Sequence, residues 1–240
     1  MEFPTALLGV ALGTVLLPSL SKANAKNDLV HAGELLIWGL QLTILLAAPC
    51  AITLFIFGEP LAAVLYHYGK FNALDVLMTQ RALAAYGVGL IGLILVKILA
   101  PGFYSRQDIR TPVKIGLLVL VATQLTNLVF VPWLGHAGLA LSIGVGACLN
   151  AALLWIGLHR RGALPSSAWA KYLGQLFLAL TPFSVLLFYA ANAHNWITLQ
   201  ATPWVRIGLL AAWLSAAAVI YFSALHLVGI RWQKFLRHAK

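Results

Sequence analysis

Charged side chains are scarce in this chain of 240 residues: they make up 9% of it, and only six of them are acidic. Enzymes that use acid–base or metal chemistry need carboxylates or histidines close together, and the sequence offers no His and Glu pair at metal-binding spacing. It also lacks a nucleophile elbow and a phosphate-binding glycine loop. Enzymatic chemistry therefore has little support, and no metal or cofactor is predicted.

Cysteine is nearly absent, and so is a basic leader. The two cysteines, Cys50 and Cys148, fall in apolar runs, so the sequence predicts neither a disulfide framework nor a zinc site. The first apolar run follows Met1 and Glu2 directly, which is not the pattern of a signal peptide.

Apolar side chains, in contrast, make up 61% of the chain, more than a water-soluble fold of this length could bury. Seven runs are long enough to cross ~30 Å of hydrocarbon as helices, the first at the short limit. They cover residues 4–20, 35–57, 82–104, 113–133, 138–158, 172–193 and 205–228. The sequence therefore predicts an all-α polytopic membrane protein with seven transmembrane helices.

The cations between the runs predict an orientation. Twelve fall on one side of the predicted membrane: Lys22, Lys26, Arg106, Arg110, Lys114, Arg160, Arg161, Lys171, Arg231, Lys234, Arg237 and Lys240. Only Lys70, Arg81 and Arg206 fall on the other side. This positive-inside bias places the N-terminus outside and the C-terminus in the cytoplasm. The cations behind the net charge of +10 are therefore expected to orient the helices and to contact anionic lipid. Nucleic-acid binding is not predicted.

Polar residues inside the spans are the candidate functional positions. Lys97 lies within the third span, where a buried ammonium must face a watery cavity or a partner, or else snorkel to the interface. Both interpretations stay open. Thr123 and Asn127 share one helix face and could join a cation site, a weak one because no carboxylate is near in sequence. The glycines Gly138, Gly144 and Gly146 indicate close helix packing.

The connections between spans are short, so an independent catalytic domain has no place in the chain. The longest, residues 58–81, has the composition of an amphipathic or re-entrant segment at the membrane interface. An odd number of spans with a minimal first one leads us to expect the C-terminal part of a larger transporter. An authentic seven-helix protein is the alternative.

Three stretches carry a resemblance to a known family. Residues 100–114 read APGFYSRQDIRTPVK, residues 9–21 read GVALGTVLLPSLS, and residues 68–75 read YGKFNALD and lead into Ala82–Gly92. Together they resemble the lipid II flippase family MurJ, also called MviN, of the MOP exporter superfamily. The resemblance covers essentially the whole chain.

The resemblance implies a fourteen-helix transporter with two six-helix lobes around a central cavity. Residues 1–159 would be an incomplete C-terminal lobe of five transmembrane helices, 172–228 an extra helix pair forming a lipid-tail groove, and 229–240 a basic cytoplasmic tail. The implied activity is the flipping of lipid II, an undecaprenyl-pyrophosphate-linked peptidoglycan precursor, across the bacterial inner membrane. The implied partners are that precursor, membrane lipids and the missing N-terminal half, without which we expect the chain to be inactive.

The resemblance also implies site residues. Glu2 falls on the family's cavity glutamate, and Lys97 would face the same cavity. The loop with Arg106, Asp108, Arg110 and Thr111 would serve as a cytoplasmic gate, although capping by Asp108 and charge topology alone would also explain it.

Certain relatives bind sodium at positions that correspond to Thr123, Asn127 and Ser142, but here no carboxylate is present, so sodium coupling is not predicted and the membrane potential is the expected drive. Two alternatives stay open: another MOP-type exporter, for a drug or a polysaccharide intermediate, and more remotely a membrane-embedded transferase.

Overall fold

The computed structural model describes Thr5, residues 11–164 and residues 169–230. In these ranges the chain folds into eight α-helices and one 3-10 turn. The helices are α1 (Ala11–Ala25), α2 (Leu29–Ile56), α3 (Gly58–Tyr66), α4 (Ala73–Tyr104), α5 (Arg110–Leu134), α6 (His136–Arg160), α7 (Trp169–Ala193) and α8 (Pro203–Leu227), with the 3-10 turn at Thr198–Ala201 before α8.

Six of the described helices, α2 and α4 to α8, are long and apolar enough to cross a membrane. They confirm the predicted spans from the second to the seventh. The first predicted span, residues 4–20, lies partly outside the described residues, and its described part, α1, runs on to Ala25. The all-α membrane architecture is therefore as predicted, with α3 as an additional short helix.

Two helices begin earlier than hydropathy predicted. Asp28 accepts a hydrogen bond from the amide of His31 and caps α2, which therefore begins at Leu29 and not at residue 35. Asn72 and Asp75 form a reciprocal capping box, so α4 begins at Ala73 and takes up the last part of the predicted interfacial segment 58–81. Polar capping residues lower the mean hydropathy of the first turns, so the length of an apolar run does not show where these helices begin.

The helices alternate in direction and define two ends of the bundle. The "α3 end" holds α3, the α5–α6 turn and the 3-10 turn, while the "basic end" holds the α1–α2, α4–α5 and α6–α7 connections. Lys22, Lys26, Arg106, Arg110, Lys114, Arg160, Arg161 and Lys171 lie in or beside connections of the basic end.

Glycine allows α4 and α6 to cross closely. A Cβ atom on Gly89 would overlap the Cα atom of Gly144, and one on Gly92 would lie 2.6 Å from the amide nitrogen of Cys148. Nearer the basic end the two helices meet through Phe103 and Gly157. The close packing predicted for Gly144 is confirmed, and backbone contact of this kind is how helices associate in lipid.

Helix α2 contains a proline, Pro49, near which two tyrosines from other helices donate hydrogen bonds. Pro49 has no amide hydrogen, so the carbonyl of Leu45 loses its usual helical partner. The hydroxyl of Tyr221, from α8, donates to that carbonyl at 2.6 Å, and the hydroxyl of Tyr172, from α7, donates to the Gln41 carbonyl one turn earlier at 2.6 Å. These bonds attach the α7–α8 pair to α2.

Candidate functional site

The α4–α5 loop at the basic end makes a tight, hydrogen-bonded turn. The amide of Ser105 donates to the Pro101 carbonyl at 2.9 Å and that of Asp108 to the Phe103 carbonyl at 3.1 Å. Gln107 occupies the left-handed region at φ 60°, which few residues other than glycine adopt. The turn therefore holds Asp108 in a fixed position before α5.

Asp108 uses both carboxylate oxygens. Its Oδ1 accepts from the amide of Thr111 at 3.0 Å, and its Oδ2 accepts from the Thr111 hydroxyl at 2.7 Å. Asp108, predicted to cap α5, accepts from the amide of Thr111 in the first turn of that helix, although the N-cap position itself is occupied by Ile109. Oδ2 also accepts from Nη1 of Arg161, the residue after α6, at 2.5 Å. The loop is thereby tied to a helix end more than fifty residues away in sequence.

The guanidinium of Arg161 completes this cluster, which we call the loop latch (Phe103, Asp108, Thr111 and Arg161). Its Nη2 donates to the Thr111 hydroxyl at 2.9 Å, and its Cζ lies 5.1 Å from the centroid of the Phe103 ring. The sequence analysis counted Arg161 only as a topological cation. Its position just before Gly162, whose φ is 65°, marked a helix end, but nothing local indicated its partner.

Electrostatics in the latch follow from these contacts. The hydrogen bonds from Thr111, and then those from Arg161, lower the pKa of Asp108 to about 2, although the carboxyl stays at the surface. Arg106 is partly buried, and burial followed by the nearby charge of Arg161 lowers its pKa. Arg110 is exposed in the first turn of α5. Arg106 and Arg161 thus lie close enough for their charges to interact, and Arg161 pairs with the ionised carboxylate of Asp108.

A further contact joins α1 to the same loop. The side-chain amide of Asn24 donates to the hydroxyl of Ser105 at 2.9 Å, and the Ser105 hydroxyl donates to the Gly102 carbonyl at 3.3 Å. Together with the loop latch, this contact connects α1, α4, α5 and α6 at the basic end. An arrangement of this kind can hold four helices in one relative position and release them when its polar contacts break.

Lys97 has a hydrogen-bond partner on another segment of the chain. Its ammonium donates to the main-chain carbonyl of Thr5 at 3.2 Å, from half-buried surroundings. Of the two interpretations left open by the sequence, the contact favours the one in which Lys97 has a partner inside the bundle over snorkelling. The other predicted cavity residue, Glu2, lies outside the described residues.

The residues matched to a sodium site lie between α5 and α6. Gly146 packs against the Thr123 side chain, and Gly138 packs against the Phe130 carbonyl, a register that places Asn127 opposite Ser142. Within the described ranges Oδ1 of Asn127 and Oγ of Ser142 are buried and have no hydrogen-bond partner. These oxygens are neutral, and described His, Cys, Asp and Glu residues form no group that could hold a metal ion.

Two adjoining cavities follow α8 on the side that faces α2. Both are open on one side, with volumes of about 380 Å³ and about 670 Å³. The first is lined by Leu46, Pro49, Cys50, Thr53, Leu54, Phe183, Leu214, Ala217, Ala218, Tyr221 and Phe222, and the second by Leu45, Phe222, Ser223, Leu225, His226, Leu227 and Ile230. Phe222 lines both cavities, and the walls of both are almost entirely apolar. We call them together the α8 groove; its chemistry suits a hydrocarbon chain.

Comparisons with known proteins agree on one family. Residues 1–206 match the family model described as lipid II flippase MurJ. The chain is 55% identical over 241 aligned residues to a lipid II flippase MurJ of Burkholderia cenocepacia, covering 100% of this chain and 47% of that protein. It is 32% identical over 235 residues to a probable lipid II flippase MurJ of Vibrio cholerae, covering 96% of this chain and 44% of that protein.

A solved structure shares the fold. It is a lipid II flippase MurJ in an inward closed conformation, with a TM-score of 0.70 and 20% sequence identity, and the match covers 94% of this chain and 44% of that one. The chain thus spans about half the length of the relatives that it matches.

Proposed function

The chain belongs to the lipid II flippase MurJ family, and on this ground we propose that it forms about half of a transporter for a lipid-linked peptidoglycan precursor. In this proposal the whole protein moves lipid II from the cytoplasmic to the external leaflet and so serves peptidoglycan and cell-wall biogenesis and cell shape. The observation that carries the proposal is the 55% identity along the entire chain to a flippase of this family. A flippase is a transporter rather than an enzyme.

Six apolar helices and the family membership make the chain a multi-pass protein of the inner membrane. We further propose that the basic end lies in the cytoplasm and the α3 end outside. The support is the crowding of Lys and Arg at one end, which translocation across the membrane disfavours.

The loop latch supports a role for the α4–α5 loop in a cytoplasmic gate. Alternating access needs helices that move as a group and contacts that can be broken and remade. Polar contacts of Asp108, Thr111 and Arg161 at the surface meet this need, because water can replace each of them. In the proposed cycle Arg106 and Arg110 lie beside the gate as cationic groups for anionic substrate or lipid.

The α8 groove supports a lipid-tail site formed by the pair α7–α8, within the predicted range 172–228. Its apolar walls and its position along the second half of α8, from Leu214 to Leu227, fit part of an extended polyprenyl chain. Residues 1–159 would contribute the lobe wall of the central cavity, with Lys97 and Glu2 as its candidate polar groups. A flippase needs both a polar route for the pyrophosphate and an apolar one for the tail.

The proposal is tested by domain exchange. The corresponding half of the Burkholderia cenocepacia relative is replaced by residues 1–240 of this chain, and the chimera is expressed in cells depleted of their own flippase. We expect growth rescue by the chimera and none by the 240 residues alone. A chimera that inserts at normal levels and does not rescue, in two independent junction designs, contradicts the proposal.

A further inference from the structure

Arg206 is buried in a way that the proposed flippase activity does not explain. It is the fourth residue of α8 at the α3 end, and its exposed fraction is 0%. Its Nη2 donates to the His67 carbonyl at 3.4 Å, while Nε and Nη1 are buried without an acceptor among the described residues. A guanidinium keeps its charge in proteins, and a buried charge without adequate partners is costly.

The surroundings of Arg206 supply some compensation but no anion. Its Cζ lies 5.0 Å from the centroid of the Tyr68 ring, a cation–π contact. The His67 carbonyl belongs to the residue that follows α3, where the helix dipole is negative. In the described ranges the ion pairs are His31 with Glu34 and Asp108 with Arg161, and neither includes Arg206.

A second buried polar group lies at the same place. Nδ1 of His67 is buried without a hydrogen-bond partner, and the residue is 4% exposed. Arg206 and His67 therefore bring together three nitrogen atoms that lack a partner in the described chain. Nε and Nη1 of Arg206 are donors, and Nδ1 of His67 is a donor in the tautomer that carries its hydrogen there. Such donors require acceptor oxygens, and the guanidinium prefers a planar pair of oxygens on an anion.

One side chain that covers the guanidinium is itself partly exposed. Tyr68, whose ring stacks on the guanidinium, is itself 43% exposed, and Trp204 on the first turn of α8 is 84% exposed. The cluster therefore lies directly beneath the surface at a helix end, the level at which lipid headgroups meet a membrane protein. A rotation of Tyr68 would open the guanidinium to an oxyanion from that layer.

We propose that Arg206 and His67 form a phosphate-binding site at the α3 end of the bundle, with Tyr68 as its cover. The ligand chemistry is a phosphate group, which a phospholipid headgroup or free phosphate can supply. The site is separate from the loop latch at the opposite end and does not depend on flippase activity. The competing explanation is that Arg206 only joins α8 to the end of α3.

The test measures binding by the full 240-residue chain in a phosphate-free maltoside detergent. One arm titrates inorganic phosphate and the other phosphatidylglycerol in mixed micelles, and the readout is the broadening of the ³¹P resonance. We expect Arg206→Gln to weaken binding about tenfold or more, as expected for loss of a charge-assisted contact. Arg81→Gln, at an exposed arginine of the same end, should leave binding unchanged.

The arms and variants separate the outcomes. Binding of lipid alone identifies the headgroup as the source, and binding of both identifies a general phosphate site. Equal binding by the wild-type chain and Arg206→Gln, or no binding in either arm, overturns the proposal and leaves Arg206 as a structural link. If Arg206→Gln does not fold, Arg206→Lys and His67→Phe replace it, and unchanged affinity in both also overturns the proposal.

Discussion

At the residue scale, the loop latch depends on the charge of Asp108. Its carboxylate accepts from Thr111 and Arg161 together, and these donors lower its pKa to about 2. When the pKa of a carboxyl is lower in the folded chain than in the unfolded chain, the carboxyl stabilises the fold. The stabilisation is complete at pH values above the pKa of the unfolded chain. That contribution is complete above about pH 4 and is lost as the pH falls from there to about 2.

We predict that Asp108→Asn lowers the thermal midpoint of the chain at neutral pH, because the amide keeps a cap but loses the ion pair with Arg161. The difference from the wild-type chain should shrink as the pH falls below about 4, which thermal scans over a pH series measure. Glu34→Gln is the control, since Glu34 and its neighbour His31 are both exposed and such pairs contribute little. A difference for Asp108→Asn that persists undiminished at the lowest pH would contradict this account.

Sequence patterns identified Asp108 and Thr111 because they are neighbours on a recognisable turn. They could not identify Arg161, because its contact with Asp108 spans 53 residues and depends on how α4 and α6 cross. The same limit applies to Arg206, which looked like an ordinary interfacial cation and is fully buried. Long-range polar contacts follow from tertiary packing, whereas hydropathy reports only local composition.

At the element scale, two kinds of contact position the helices: glycine contacts between α4 and α6, and hydrogen bonds from two tyrosines to α2. Hydropathy predicted the existence of α2 and α4 to α8 because each contains a long apolar run. The starts of α2 and α4 could not be read in this way, because Asp28 and Asn72 cap them with polar side chains. Crossing positions were indicated only by glycine, which also occurs where nothing packs.

Gly89→Ala should destabilise the chain by about 1–3 kcal/mol, the usual cost of inserting atoms into a filled contact. The added methyl group would meet the Gly144 backbone, which cannot rotate away as a side chain can. Gly174→Ala in α7 is the matched control, since nothing lies within 4 Å of its added Cβ, and it should be neutral or slightly stabilising. The measurement is the unfolding midpoint of each variant in detergent. Equal effects of the two substitutions would contradict the close contact between Gly89 and Gly144.

Tyr221→Phe should also destabilise, by about 1–3 kcal/mol, because it leaves the Leu45 carbonyl without a donor next to Pro49. The shape of the side chain is kept, so the loss reports the hydrogen bond alone. Tyr189→Phe, on the exposed surface of α7, should change the unfolding midpoint by much less. An equal, small effect of both substitutions would show that the Leu45 carbonyl needs no donor from α8.

At the scale of the whole molecule, the chain combines a tightly crossed group of helices with two less enclosed parts. Helix α4 packs its glycines against α2 on one side and α6 on the other, whereas the most apolar stretch of α5 is only 6% buried. The pair α7–α8 is attached through Tyr172, Tyr221 and Arg206. Uncovered apolar helix faces suit lipid or another part of a transporter, and they agree with a chain that spans half of its relatives.

The distribution of charge across this architecture leads to a prediction about sidedness. Single cysteines are introduced by Lys26→Cys, Arg160→Cys and Lys70→Cys in a Cys50→Ser, Cys148→Ser background, and cells are treated with a membrane-impermeant maleimide. Lys70→Cys, beside the positive-φ Gly69 at the α3 end, should react in intact cells. The two basic-end variants should react only after lysis, because loops rich in Lys and Arg stay in the cytoplasm. Labelling of Lys70→Cys and Arg160→Cys from the same side would contradict the orientation of α4 to α6 and, with it, the assignment of the loop latch to a cytoplasmic gate.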